Sequence, residues 1–378
     1  MMPTIQDRHS TSTSTISDVT KSQPGTSSIA VPLIDIGTTT DEKNDGNSAL
    51  SRKTSRSLVS ALRDSGFALV RSPLLTPKLQ SKALEATSRF LATSSSSTTT
   101  GGPKSNDKTP VIDVISHPTD PKVYAMLDSE DQYDMVAPDN IIREYVAALQ
   151  LIKMDVLRHI SVGLFEDEDI DNNNDVDDGG DKKKNDVDFF AKLHDENNDT
   201  LRLITYFPTH SETTANRCKE HSDYGTITLL STDGVSGLEL FHKGQWLPVP
   251  YVEGALVVNV GSLLAGWTHG ALRATLHRVA GPASLNSGSN RQGLFDAVNH
   301  ARTSMAFFVD PNHDVSESLA VTAIATEKDD LAVALGGLSV AEYIRFRSGG
   351  DDNQRSGVSF TAKESEIITK VDDAREIL

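Results

Sequence analysis

The sequence predicts a mainly β core flanked by helices, and three observations carry the prediction. First, Leu201–Tyr206, Gly225–Leu230, Gly237–Phe241, Ala255–Val260, Thr275–Val279 and Thr303–Val309 are short β-branched or apolar runs separated by Gly, Pro, Asp and Asn clusters. Closely spaced short strands of this kind build a sandwich or a barrel, of which a jelly roll is one form. Second, the part of the chain before residue 165 repeats apolar residues at three-and-four spacing and holds few strands. Third, helical patterns return at Ser339–Arg347 and Ala362–Leu378.

Taken in order, residues 1–28 are polar with nothing to bury and read as a disordered tail. Residues 29–164 form a helix-rich α/β region. It opens with a strand at Ile29–Ile36; Leu58, Val59 and Leu62 then share a helix face that stops at Gly66, and Phe67–Val70 is a second strand. A helix at Pro77–Leu91 runs into the low-complexity segment Ser94–Gly102, read as a mobile loop. Asp139 caps a longer helix whose apolar face is Ile142, Tyr145, Val146, Leu149, Ile152, Val156 and Ile160. Residues 165–188 are an acidic, disordered insertion. Its Asp and Asn alternation invites a calcium loop, but Val176 stands where the turn glycine of an EF-hand is required. Residues 189–311 make up the β domain and 312–378 a helical extension. No internal repeat is present.

Charge and composition remove several functions. The 378 residues carry 36 Lys and Arg against 53 Asp and Glu, a net charge of −17. About half of it lies between Glu166 and Asp188, where eleven acids meet three lysines. An acidic chain with no basic stripe lacks the footprint of a nucleic-acid binder. One cysteine, Cys218, excludes a disulfide-stapled scaffold. The apolar stretch Ala255–Ala265 is too short to span a bilayer and is interrupted by Asn259. The N-terminus has no apolar secretory centre, although its Ser/Thr content leaves an organelle transit peptide open. A soluble, cytoplasmic monomer acting on a small molecule is the expectation.

Of the eleven histidines, His159, His194, His242, His300 and His313 read as surface or loop residues and His210 as a turn residue. His221-Ser-Asp223 stands apart, with His277 following on a later strand. Residues i and i+2 of an extended segment point to one side. Two histidines and a carboxylate leave adjacent positions open on iron(II), and the same set also serves catalytic zinc. A chance tripeptide is the competing reading at this point. Arg302 and Ser304 open the last apolar strand, again at i and i+2, and a guanidinium is the side chain that best grips a carboxylate. A salt bridge within the chain would account for Arg302 equally well.

Six motifs together resemble the isopenicillin N synthase-like branch of the iron(II)/2-oxoglutarate dioxygenases: His221–Leu230, Gly244–Pro250, Gly254–Gly261, Trp267–Gly270, Thr275–Val279 and Arg302-x-Ser304. Val31–Ile36 and Arg63–Phe67 are similar to that family's N-terminal region, so the resemblance covers about residues 29–311. It implies a double-stranded β-helix (jelly roll) core, with His221, Asp223 and His277 as iron ligands. Arg302 and Ser304 are implied to hold the distal carboxylate of 2-oxoglutarate, with help from Tyr206. The implied activity is oxidation of a small molecule, most often hydroxylation, coupled to decarboxylation of 2-oxoglutarate to succinate and carbon dioxide. Fe(II), 2-oxoglutarate and O2 take part, with ascorbate as a reductant. The alternatives are an oxidase of the same family that closes rings without 2-oxoglutarate, or a binding protein on the same fold. Two departures from the pattern stand out: Ser262 replaces an acid, and 25 positions separate His277 from Arg302, with Ala283–Ala301 read as an inserted loop. Arg278 and Arg291 are rival anion ligands. Tyr224, Thr226 and Phe308 line the pocket or fill the core.

Overall fold

A computed structural model describes residues 31–37, 51–94, 112–116, 122–166, 186–210, 215–268, 270–286, 291–312 and 315. The tail at 1–28, the segment after Ser94, the greater part of the acidic insertion, His313 and the C-terminal extension beyond residue 315 lie outside the described residues.

The central strands are largely buried on both sides because both sides are covered. Strand β12 (Arg302–Val309) runs antiparallel between β5 (Thr200–Tyr206) and β7 (Ile227–Thr232). Beyond β7 come β10 (Ala255–Val260), β2 (Phe67–Arg71) and β1 (Leu33–Asp35); beyond β5 come β4 (Lys122–Leu127) and β3 (Val114–Ser116). Only the β1–β2 edge is parallel. A second, four-stranded sheet has the order β6 (Cys218–His221), β11 (His277–Val279), β8 (Leu238–His242) and β9 (Gln245–Pro248). These four strands and the central four of the large sheet, β10, β7, β12 and β5, make the eight-stranded jelly roll.

Period-two alternation divides each central strand between two environments. On β12, Met305, Phe307 and Val309 join the main apolar core, while Arg302, Ser304, Ala306 and Phe308 face the space between the sheets. The outer face of the large sheet is covered by α1 (Arg52–Asp64), α2 (Pro77–Ser94) and α4 (Ile141–Glu166), with α3 (Glu130–Val136) packed on α4. In α4, Ile142, Tyr145, Leu149, Ile152, Val156 and Ile160 are all 0% exposed. Each such side chain contributes roughly 1.5–3 kcal/mol by leaving water. Among the described residues no helix is long and apolar enough to cross a membrane.

Several boundaries move. The front region is stitched into the jelly roll, because β2 pairs with β10 and β4 with β5, so the described residues from Val31 onward form one compact unit. Strand β4 alternates burial and exposure, a pattern that the helix-rich reading of this region does not include. At the edges of the acidic insertion, α4 continues to Glu166, and Asp188 is paired with Arg158 at 2.7 Å. The segment read as an inserted loop holds two helices, α6 (Pro282–Asn286) and α7 (Arg291–Asn299). They fold because Leu285 and Ala297 bury together with Ala280, and Asp296 accepts from the Ser236 backbone N–H at 3.1 Å.

Three of the histidines read as surface or loop residues are instead buried. His159 shares a hydrogen bond with Ser55 Oγ at 2.8 Å, on the seam between α4 and α1. His194 reaches Thr226 Oγ1 and Phe190 O, each at 2.7 Å, and His242 lies against Asp64. A single histidine can be accommodated in a core by one or two partners, and this leaves no trace in composition.

Candidate active site

The two sheets present their polar groups to a solvent-connected cavity that encloses about 60 Å³ of water-accessible space. His221 ends β6 and His277 begins β11, and the two are register partners. Their rings therefore sit side by side, with centroids 4.3 Å apart. Each Nδ1–H donates to a backbone carbonyl, of Lys219 at 2.8 Å and of Thr275 at 3.1 Å, which turns both Nε2 atoms towards Asp223.

Asp223 lies in the loop just after β6, and a second segment grips that loop. Gly261 N–H donates to Thr226 O at 3.0 Å and Ser262 N–H to Asp223 O at 2.7 Å, at the start of α5 (Ser262–Trp267). The segments approach so closely that a Cβ on Gly261 would stand 2.0 Å from Gly225 O. Ser262 Oγ also donates to Asp223 O at 3.0 Å. An ionised acid at this position could not donate that bond, which gives the departure at residue 262 its local logic. The Asp223 carboxylate is held as firmly: Oδ2 accepts from Thr228 Oγ1 at 2.5 Å and Asn259 Nδ2 at 2.7 Å. Oδ1 is left 3.8 Å from His221 Nε2 and 3.7 Å from His277 Nε2. One ligand atom from each of the three residues falls within 4.8 Å of the others.

Burial alone would raise the Asp223 carboxyl, but the two histidines and the bonds from Thr228 and Asn259 hold it below the usual carboxylate range. Burial likewise keeps the His277 ring neutral against the pull of Asp223. His221, whose side chain is 43% exposed, shifts the other way: desolvation favours its neutral form, but Cys218 and Asp223 outweigh it and raise the ring to about 9, so a metal ion would displace a proton there. An ionised carboxylate and a neutral, oriented imidazole are the forms that bind a divalent metal.

At the other end of the cavity stands Arg302, 2% exposed. Its Nε donates to Val235 O and its Nη1 to Ser304 Oγ, both at 3.2 Å, and the guanidinium lies 5.6 Å over the Tyr206 ring. Among the described residues no carboxylate forms an ion pair with it. Asp233, whose charge it feels, is committed to the backbone N–H groups of Thr303 at 2.6 Å and Val235 at 3.0 Å. Burial pushes the Tyr206 phenol up, so it stays protonated and can donate. The rival Arg278 is neutralised by Glu239 at 2.9 Å and Glu220 at 3.2 Å and stacks 4.0 Å over Trp246. The side chain of Arg291 lies outside the described residues.

All six residues singled out from the sequence, His221, Asp223, His277, Arg302, Ser304 and Tyr206, line this one cavity. Phe308 joins them, whereas Tyr224 packs against the core and Thr226 is bonded to His194. Sequence reasoning missed Thr228, Asn259, Arg202 and Cys218, which also line it. Asn259 and Arg202 carried a signal, since each is a polar residue inside an otherwise apolar strand.

Comparisons with known proteins agree with this geometry. Residues 198–311 match the 2OG-Fe(II) oxygenase superfamily. The proline hydroxylase buaE of Petromyces alliaceus is 38% identical over 135 residues, which is 34% of this chain and 40% of that protein. The 2-oxoglutarate-dependent dioxygenase ecdK of Aspergillus rugulosus is 38% identical over 124 residues, 31% of this chain and 36% of its own length. The match thus spans about two fifths of these curated relatives. A full-length Neurospora crassa protein solved in complex with alpha-KG superposes with a TM-score of 0.59 at 22% identity, covering 84% of this chain and 95% of that one. At that identity the likeness is one of fold. The stretch from 198 to 311 that matches the 2OG-Fe(II) oxygenase superfamily carries all three candidate metal ligands together with Tyr206, Arg302 and Ser304.

Proposed function

We propose that the chain is an Fe(II)- and 2-oxoglutarate-dependent dioxygenase that hydroxylates a small molecule. The observation that carries this is Arg302: a buried guanidinium with no carboxylate partner among the described residues, in the same cavity as three convergent metal donors. A buried charge needs a counter-charge, and a dicarboxylate cosubstrate supplies one. The names of the curated relatives, 2-oxoglutarate-dependent dioxygenases and a proline hydroxylase, support the same reading.

His221 Nε2, Asp223 Oδ1 and His277 Nε2 are the atoms that would hold the metal, and the donor set suits iron(II). The chemistry Fe(II) supplies when bound is the activation of O2, by which 2-oxoglutarate gives succinate and carbon dioxide and one C–H bond of the substrate gives C–OH. The protein's own residues do the rest. Thr228 and Asn259 fix Asp223 so that Oδ1 alone faces the histidines. Arg302 offers its guanidinium to the far carboxylate, Ser304 keeps a hydroxyl proton to donate beside it, and Tyr206 adds a protonated phenol. Phe67, Leu230, Leu238 and Phe308 line the remaining wall with apolar surface and limit water.

The test is spectroscopic. Protein given Fe(II) and 2-oxoglutarate without oxygen is expected to develop a weak visible charge-transfer band, lost in His221→Ala and Asp223→Ala. No band, or a band that survives both substitutions, overturns the assignment. Arg302→Gln is expected to weaken 2-oxoglutarate binding about tenfold to a hundredfold, the range of a charge-assisted hydrogen bond.

A further inference from the structure

Arg302 is not the only cation in the cavity without an acid. Arg202 lines it from β5, on the same face of that strand as Ile204 and Tyr206. Its Nε is buried with no hydrogen-bond partner, and among the described residues it forms no ion pair. Its guanidinium stacks 4.2 Å over the ring of Tyr124, on the neighbouring strand β4, which fixes the plane of the fork without neutralising it.

The sheet register separates the two arginines. Arg302 pairs with Tyr206 and Ser304 with Ile204, at the anion end. Arg202 lies opposite Ala306, which in turn lies opposite Leu230 on β7. The next facing row carries Phe308 and Thr228, and Thr228 bonds the carboxylate of Asp223. Arg202 therefore stands on the row between the Arg302 anchor and the metal donors, displaced two strands to the side of β7. A cosubstrate reaching from the donors to Arg302 leaves this flank open. The surface around it is Ile204, Ala306, Phe308 and Leu230, with no other cationic side chain on that row.

We propose that Arg202 recognises the primary substrate, and that this substrate is a small organic acid with an apolar body, its carboxylate on Arg202 and its body against Phe308 and Ile204. This rests on the dioxygenase reading above for its cosubstrate, and it adds the substrate class. Arg202 is a specificity residue here, and the planar fork suits a carboxylate in two-point contact.

The full chain, loaded with redox-silent Mn(II) and 2-oxoglutarate, is titrated calorimetrically with phenylacetate and hexanoate and with the matching neutral amides. Wild type is expected to bind the acids at least about tenfold more tightly than the amides. Arg202→Gln is expected to erase that preference while 2-oxoglutarate affinity stays within about twofold. Arg202→Lys, which keeps charge and stem but not the fork, is expected to retain part of the preference, so that a folding defect is not mistaken for lost recognition. Equal binding of acid and amide by wild type overturns the proposal, as does a preference that survives Arg202→Gln. A loss of 2-oxoglutarate affinity in Arg202→Gln also overturns it, by moving Arg202 to the cosubstrate anchor. The dioxygenase reading fails separately, if Arg302→Gln binds 2-oxoglutarate as tightly as wild type.

Discussion

Lys153 and Arg302 are both buried cations, one on the helical side of the large sheet and one in the cavity, and the chain treats them in opposite ways. Lys153 of α4 is 0% exposed and is answered from within, by Asp199 at 2.5 Å and Asn197 at 3.0 Å. Arg302 is almost as deeply buried, and among the described residues it donates to a carbonyl and a hydroxyl and forms no ion pair. A charge that is fully paired within the chain belongs to the architecture. One held by neutral acceptors in a cavity is arranged for a partner that comes from outside. The same contrast separates Arg278, closed off by Glu239 and Glu220, from Arg202, whose Nε is unanswered.

The sharpest way to break the comparison is to remove each cation. Lys153→Met leaves Asp199 buried without its counter-ion and is expected to cost about 3–5 kcal/mol, read as a lower urea midpoint. 2-Oxoglutarate affinity of the molecules that remain folded should not change. Arg302→Gln should do the reverse, keeping the urea midpoint and losing the cosubstrate. If Arg302→Gln proves the more destabilising of the two, the cavity arginine is structural and the comparison collapses.

Titration sharpens it further. Burial lowers His159, on the helical side, from 6.5 to about 4. The unfolded chain therefore takes up that proton first, so stability present above pH 6.5 is lost as pH falls towards 4. The contribution is up to about 3 kcal/mol. His159→Gln has no such group, and the stability difference between wild type and variant, measured at pH 7 and again near pH 4, should shift against wild type by that amount. A difference that does not vary with pH would mean that His159 takes up its proton as readily in the folded protein as in the unfolded chain. The smallest effect is expected in the cavity. Asn259→Ala frees Asp223 Oδ2 from one of its two donors and should weaken Mn(II) binding about tenfold, towards the low end for an outer-shell contact, with little change in stability.

How much of this is legible in the sequence follows from the range of each interaction. The metal donors are legible because His221 and Asp223 are two residues apart and their types are rare together. Arg302 and Ser304 are legible for the same reason, as a polar pair opening an apolar strand. Thr228 is not, because a threonine in a β-branched run looks like any other strand residue. Its role exists only because the loop after β6 folds back over β7. The buried histidines escape for the same reason: His159 finds Ser55 across 104 residues, and no local pattern announces a partner that distant. The helices α6 and α7 read as loop because the apolar cluster they form among the described residues is small, Leu285 and Ala297 with Ala280.

The sequence by itself determined the chemistry on offer, namely which side chains can bind metal or anion and which strands carry them, because residue type and period-two spacing are local properties. Only the tertiary structure decided which of those charges are left unanswered. Arg202, Arg278 and Arg302 are equivalent as letters in strands. All three line the cavity, and they part when the fold delivers acids to Arg278 and none to the other two among the described residues, since pairing depends on what neighbouring strands bring within a few ångströms.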